Sequence, residues 1–426
     1  MSTPPARLDG LAHYLGSRVP YYRGLGVKSF GDVPPLLKAT LMARVTDFIS
    51  DDYPEKRSLE DIMLDRVPGT VVSHNQIQAG PSVLVEQTTG TSGTPGRFPK
   101  TNAERTRMSL GIWKHRRRID PEVSPANFVS ALHRSFTAPP DPRIFSQNPA
   151  EVRSYYEDAV IGKARWLHVS PRLLCQHIQM FNGAGYPPLV GAIHCCETTG
   201  EKLTPGQRKT ICDYFGCQVA DQYGCIETWA IAYDTTGDAI LRELHENVFV
   251  EILRHGSLEP ITEPGEVGTI AVTSLELRLM PIVRYLNGDR AEWVEDATGR
   301  AFRLQEERQS GMMVLDGQLV PGAAVVRKIM KVAVTAFGYF HFDFIQFVQT
   351  GEYRMTLRMG PSQKGRTFFE FLKMAAGSSE FSRKPIELSF EELSHAKMET
   401  ELRGKMTLFV TRLDVSKYAA PGAKGP

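Results

Sequence analysis

The chain has 426 residues, 42% of them hydrophobic and 23% charged, with a formal net charge of +2. Such a length holds one large and one small domain, and the near-neutral balance gives no reason to expect nucleic acid or a charged membrane surface as the main partner. No apolar run approaches the roughly 20 residues that span a bilayer, and the N-terminus lacks the apolar core of a signal peptide, so a cytoplasmic protein without a membrane partner is expected.

Taken in chain order, residues 7–25 and 55–65 read as helical. Ser82-Val83-Leu84-Val85 reads as a strand and runs into Gln87-Thr88-Thr89-Gly90-Thr91-Ser92-Gly93-Thr94-Pro95-Gly96, ten residues with three glycines and five hydroxyls. Glycines admit positive φ and let backbone N–H groups converge on an anion, and hydroxyls add donors. The stretch is either a plain turn or a clamp suited to a pyrophosphate. No Lys-Ser/Thr pair follows it, so it is not a Walker loop, and no strand–GxGxxG–helix pattern marks a dinucleotide fold.

Ala103 to Trp113 reads as a helix that ends in the basic run Lys114-His115-Arg116-Arg117-Arg118. That run reads as a solvated helix end, with a docking patch for phosphates or an acidic carrier protein as the alternative. Apolar runs at Phe128-Val129, Trp166 to Val169 and Val190 to His194 read as buried strands between polar helical stretches. All six cysteines lie between Cys175 and Cys225 without a CxxC pair, which fits reduced thiols. His194 beside Cys195 and Cys196 is read as the end of a buried strand rather than as a metal or nucleophile site, since no second ligand pair stands at zinc spacing. Thr204-Pro205-Gly206-Gln207 carries an N-cap, a first-turn proline and the Gln of a capping box, and its helix is expected to end near Gly216. The next strand, Gln218-Val219-Ala220, delivers Tyr223 and Glu227 to the carboxyl end of a parallel strand, where open α/β sheets bind ligands. Residues 248 to 295 are richer in β-type runs. Beyond about residue 307, Tyr353, Met355, Leu357 and Met359 alternate with polar residues as a half-buried strand does, and Phe368 to Met374 reads as a helix upon it. The tail after Tyr418 is expected to be disordered.

Three motifs now stand in order: Thr88-Thr89-Gly90-Thr91-Ser92-Gly93-Thr94-Pro95, then Tyr223-Gly224-Cys225-Ile226-Glu227, then Arg284-Tyr285-Leu286-Asn287-Gly288-Asp289. Their order and spacing resemble the adenylate-forming superfamily of acyl-CoA synthetases, luciferases and adenylation domains. The finer resemblance is to its phenylacetate-CoA ligase-like branch, which includes coenzyme F390 synthetase-like proteins. Val19-Pro20-Tyr21-Tyr22-Arg23, Thr199-Gly200-Glu201-Lys202-Leu203-Thr204, and Leu244-His245 followed by Val250-Glu251-Ile252 are similar to that branch too. The resemblance covers about residues 10 to 320.

The resemblance implies an α/β fold: a large N-terminal domain of α/β sheets with a small β subdomain (residues 1–306), a small mobile α+β C-terminal domain (307–418) and a tail (419–426). It implies activation of a carboxylic acid by ATP as acyl-AMP, release of pyrophosphate and transfer to a thiol, with coenzyme A as the expected acceptor. Thr88, Thr89, Gly90, Thr91, Ser92 and Gly93 would hold the phosphates. Gly200, Glu201, Gln222, Tyr223 and Gly224 would line the nucleotide, Asp289 would take the ribose hydroxyls and Glu227 would hold Mg²⁺. For Asp289 a turn residue after Gly288 is the alternative. Arg308 stands where the family has its hinge arginine, with Gly311 in place of the companion aspartate. Lys405 is the candidate catalytic lysine, with Lys397 and Lys384 as rivals. Asp234 stands where some relatives carry a cysteine, so no structural metal is expected. His133, Phe136, His194 and Trp229 would wall the acid pocket, which suits a flat, aromatic acid. Two alternatives stay open: transfer to an amine or carrier protein without coenzyme A, and a degenerate nucleotide-binding scaffold without turnover. A monomer or homodimer is expected.

Overall fold

Four parallel strands, Phe128–Ser130, Trp166–Val169, Cys195–Thr199 and Gln218–Cys225, lie side by side in that order in the computed structural model. Their register aligns Phe128, Trp166, Cys195 and Gln218 across the sheet. The structure describes residues 5–64, 66–67, 69–73, 76–88, 96–131, 141–146, 148–162, 164–191, 193–254, 256–297, 299–305, 312–337, 345–360, 365–378, 382–394 and 409–413. Every residue of Trp166–Val169 is buried, as expected for a strand covered on both faces. The helices Pro149–Ile161, Pro171–Gly183 and Pro205–Phe215 fall between these strands. The Thr204 hydroxyl and the Gln207 side chain cap the last of them reciprocally, and Gly216 closes it at φ +61°. Those caps were legible in the sequence because capping is local chemistry.

Past the parallel strands the same hydrogen-bonded path runs on through Trp229–Asp234, Leu241–Glu243, Ala301–Leu304, Tyr285–Val294, Val267–Ser274 and Val248–Leu253. The β-rich region is therefore joined edge to edge to the parallel strands. A separate antiparallel sheet contains Thr70–Ser73, Gln76–Gly80, Val83–Gln87 and Arg97–Thr101. Its last two strands form the hairpin that carries the glycine-rich stretch.

The C-terminal region builds its own four-stranded sheet from Glu387–Glu392, Arg354–Met359, Ile345–Gly351 and Phe409–Thr411. Met355, Leu357 and Met359 are buried as the alternation predicts, and Phe368 and Leu372 of the helix Gly365–Ala376 share one core with Met355 and Leu357. The tail after Tyr418 lies outside the described residues. No helix among the described residues is long and apolar enough to cross a membrane.

Two expectations are corrected. The strand assigned to Val190–His194 begins later, at Cys195. Val190 is 68% exposed, and Gly191 turns at φ +74° with its N–H bonded to Phe215 O at 2.8 Å. The turn reads as a strand because its residues are apolar, but they pass over the end of a helix. The helix assigned to Ala103–Trp113 runs from Asn102 to Ile119, so the basic run is part of it. Thr101 and Glu104 form a capping box at its start.

Candidate active site

The hairpin strands Val83–Gln87 and Arg97–Thr101 end on a closed neck. The Thr88 N–H donates to Gly96 O at 2.9 Å, and the Gly96 N–H donates to Thr88 Oγ1 at 2.7 Å. A side chain at Gly96 would bring Cβ within 2.7 Å of the Phe98 ring, so glycine is required by close approach. Thr88 thus closes the neck, while Thr89, Gly90, Thr91, Ser92 and Gly93 lie outside the described residues.

The stem of this hairpin is tied to the segment that holds Glu227. Glu86, just below the neck, accepts from Lys100 Nζ and from Trp229 Nε1, each at 2.8 Å. The fully buried Lys100 also donates to Ile226 O at 2.8 Å. Cys225 pairs directly with Trp229 across a tight turn, and a Cβ on Gly224 would stand 2.3 Å from Trp229 O. Trp229 itself sits at φ +63°, a conformation that costs roughly 1–3 kcal/mol for a bulky residue and persists only where its surroundings enforce it. The turn leaves Glu227 7% exposed.

The Tyr285–Val294 strand bulges opposite Val267–Ser274: Ala271 faces Leu286 but Thr269 faces Arg290. The bulge, with Gly288 at φ +84°, re-aims Asp289 toward the turn. Tyr285 Oη donates to Glu227 Oε1 at 2.9 Å, and Tyr223 Oη donates to Asp289 Oδ2 at 2.7 Å. Each motif's tyrosine therefore holds the other motif's carboxylate. Asn287 Nδ2 donates to Tyr223 Oη at 2.6 Å, and Asn287 Oδ1 accepts from the Asp289 N–H at 3.0 Å. Burial, then the Asp289 charge, pushes the Tyr223 hydroxyl far above its ordinary pKa. Arg284 anchors the arrangement from behind through Glu251 (3.0 and 3.2 Å) and Val33 O (2.8 Å).

Gly200 (φ +88°) and Glu201 follow the Cys195–Thr199 strand at its carboxyl end. Gln222 faces Thr199 in register, so Gly200, Glu201, Gln222, Tyr223 and Gly224 share one edge of the sheet. Glu201 is held by Arg172 Nε at 3.2 Å.

No protein-family model matches the sequence, and no curated protein matches it at a significant level. Solved structures do. A 2-hydroxyisobutyryl-CoA ligase in the postadenylation state, in complex with R3-HIB-AMP, superimposes with a TM-score of 0.58 at 15% identity, over 97% of this chain and 90% of that one. The same ligase with 2-HIB-AMP and CoA in the thioesterification state gives 0.55 at 16% identity, over 97% and 90%. Its open conformation gives 0.53 at 16%, over 95% and 90%. The chain has the adenylate-forming ligase fold.

Within this adenylate-forming fold, not every residue singled out from the sequence joins the edge. His194 is exposed and precedes the first residue of its strand, with its N–H bonded to Arg165 O at 2.9 Å. It stands about five residues, or roughly 16 Å, from the carboxyl edge, apart from the residues gathered there. Trp229 is at the edge with its indole N–H committed to Glu86. His133, Phe136, Arg308, Gly311, Lys397 and Lys405 lie outside the described residues. Lys384 is described, its ammonium 5.6 Å above the Tyr353 ring.

The sequence reading missed a polar row beneath the long helix. Ser130, His168 and Glu197 stand side by side in register on three parallel strands, with Ser130 Oγ 3.1 Å from His168 Nδ1. Glu197 is fully buried and accepts from Nε and Nη2 of Arg116 (2.7 and 2.9 Å) and from the Trp166 indole N–H (2.8 Å). Burial alone would raise the Glu197 carboxyl, but Arg116 and these hydrogen bonds hold it down at about 2. The basic run is accordingly solvated only in part. Arg116 points inward, and His115 stacks on Tyr233 at 4.1 Å and is lowered to about 4 by burial. Arg118 pairs with Glu246, and Lys114 and Arg117 face solvent. Spacing held the signal: Met108, Ile112 and Arg116 recur every fourth residue on the buried face.

Proposed function

We propose that the chain activates a carboxylic acid with ATP and passes the acyl group to a thiol, with coenzyme A as the acceptor. A carboxylate oxygen attacks the α-phosphorus, the bond to the bridging oxygen breaks and pyrophosphate leaves. The thiol then attacks the acyl carbon and AMP departs. Both reactants of the first step are anions, so positioning and charge neutralisation carry the catalysis. The observation that supports this reading is the joining of three distant segments at one edge. The neck of the hydroxyl-rich loop is tied through Glu86 and Lys100 to the Glu227 turn, and the Glu227 turn is tied through two tyrosines to Asp289.

In this reading the loop residues Thr89 to Gly93 donate to the departing diphosphate, and Asp289 accepts from the ribose hydroxyls. Glu227 fits a hard cation. It is a buried carboxylate whose Oε1 meets a phenol, and among the described residues no lysine or arginine forms an ion pair with it. Bound there, Mg²⁺ would neutralise phosphate charge. Gly200, Glu201, Gln222 and Gly224 shape the nucleotide edge. The proposal extends to Lys405 as the donor at the transferring phosphate, Arg308 as the hinge arginine, and residues 307–418 as the domain that carries Lys405. An aromatic acid is its finer form, supported by Trp229 at the edge.

Exchange of labelled pyrophosphate into ATP, across an acid panel and without coenzyme A, tests this. Acid-dependent exchange is expected, and its absence with every acid while ATP binds would leave a nucleotide-binding scaffold instead.

A further inference from the structure

We infer that Tyr223, Tyr285 and Asn287 are positioning residues that divide nucleotide recognition between two crossed braces: Tyr285 sets Glu227, and the Asn287–Tyr223 pair sets Asp289. The inference rests on the roles proposed above for the two carboxylates.

Hydrogen-bond chemistry fixes the direction of the ribose-side brace. A backbone N–H can only donate, so the Asn287 atom 3.0 Å from the Asp289 N–H is Oδ1. The other amide atom is then Nδ2, and it donates into the Tyr223 oxygen at 2.6 Å. A phenol has one proton, and with its oxygen already accepting, that proton goes to Asp289 Oδ2 at 2.7 Å. Burial keeps the phenol protonated. One Asp289 oxygen is thereby pinned, and the carboxylate plane is set before any nucleotide arrives. On the other brace, Tyr285 pins Glu227 Oε1 at 2.9 Å in the same way.

The crossing has a consequence opposite to the sequence grouping. Tyr223 belongs to the segment of Glu227, yet it serves the sugar-side carboxylate. Tyr285 belongs to the segment of Asp289, yet it serves the metal-side carboxylate. A phenol removed from a charged acceptor costs about tenfold in the property that the acceptor supports.

Isothermal titration calorimetry of the full chain with ATP and with 2′-deoxy-ATP, at a series of Mg²⁺ concentrations, tests the crossed assignment. In Tyr223→Phe, ATP affinity should fall about tenfold and the preference for ATP over 2′-deoxy-ATP should collapse, with Mg²⁺ dependence unchanged. Asn287→Asp should behave alike, because two acceptor oxygens would draw the Tyr223 proton away from Asp289. In Tyr285→Phe, the Mg²⁺ concentration for half-maximal ATP binding should rise about tenfold, with the sugar preference intact. The reverse pattern, equal effects on both properties, or no effect in either tyrosine variant would overturn the braces while leaving ATP binding established. Failure of the unaltered chain to bind ATP would overturn the functional reading, and the braces with it.

Discussion

The Tyr285 hydroxyl donates to Glu227 Oε1 at 2.9 Å, although 58 residues separate the two in the chain. Glu227 is buried at the tip of a turn whose geometry is enforced by Gly224 and by the left-handed Trp229. Tyr285 is held in turn by its neighbour Arg284, whose guanidinium is paired with Glu251. The carboxylate is thus aimed by a chain of contacts that begins in a different part of the sheet.

Glu227→Gln keeps the size and the acceptor oxygen for Tyr285 but removes the charge. Acid-dependent pyrophosphate exchange should fall by about 10²-fold or more, while the melting temperature stays within a few degrees. A variant with full exchange activity would remove Glu227 from the site.

Thr88→Val deletes the acceptor for the buried Gly96 N–H. Leaving a buried donor unmet costs about 1–3 kcal/mol, and the loop is no longer closed at its base. The KM for ATP should rise about three- to tenfold with a smaller change in kcat. Equal losses in stability with an unchanged KM would mean that the neck serves the fold alone.

Arg116→Leu strands Glu197 as an unpaired buried charge and should cost about 3–5 kcal/mol. The double variant Arg116→Leu, Glu197→Leu should recover much of that loss, because neither charge remains to be buried. Denaturant unfolding of the single and double variants measures the difference.

Two buried glutamates should give opposite slopes of stability against pH. Glu197 is held at about 2 in the fold, below the roughly 4.3 of an unfolded glutamate. Its contribution is present above that unfolded value and is lost as pH falls toward 2. Glu243 is raised to about 7, chiefly by burial, with Arg300 opposing. The unfolded chain ionises first, so stability should decline as pH rises from about 4.3 to 7. Glu243→Gln should flatten the upper slope only, which thermal melts across pH will register.

Local chemistry made much of this legible in the sequence. The Thr204 cap, the Gly216 stop, the alternation through Met355 and Leu357, and the hairpin strand before the glycine-rich stretch all follow from contacts within a few residues. What escaped depends on residues far apart. Arg116 looks like surface charge until Glu197 is placed beneath it. The Leu189–Ile193 run looks like a strand until the end of the Pro205–Phe215 helix is placed against it. The crossing of Tyr223 and Tyr285 has no trace in either motif, because it arises from a bulge at Asn287–Asp289 that re-aims Asp289 toward a strand with which its own is not paired.

The proposed attack by a carboxylate oxygen on the α-phosphorus of ATP moves one oxygen from the acid to AMP. An acid labelled with ¹⁸O in both carboxylate oxygens, supplied together with coenzyme A, reports that transfer by mass spectrometry of the products. One labelled oxygen should appear in AMP and one should remain in the thioester. Label in inorganic phosphate, or a thioester formed with unlabelled AMP, would exclude attack at the α-phosphorus.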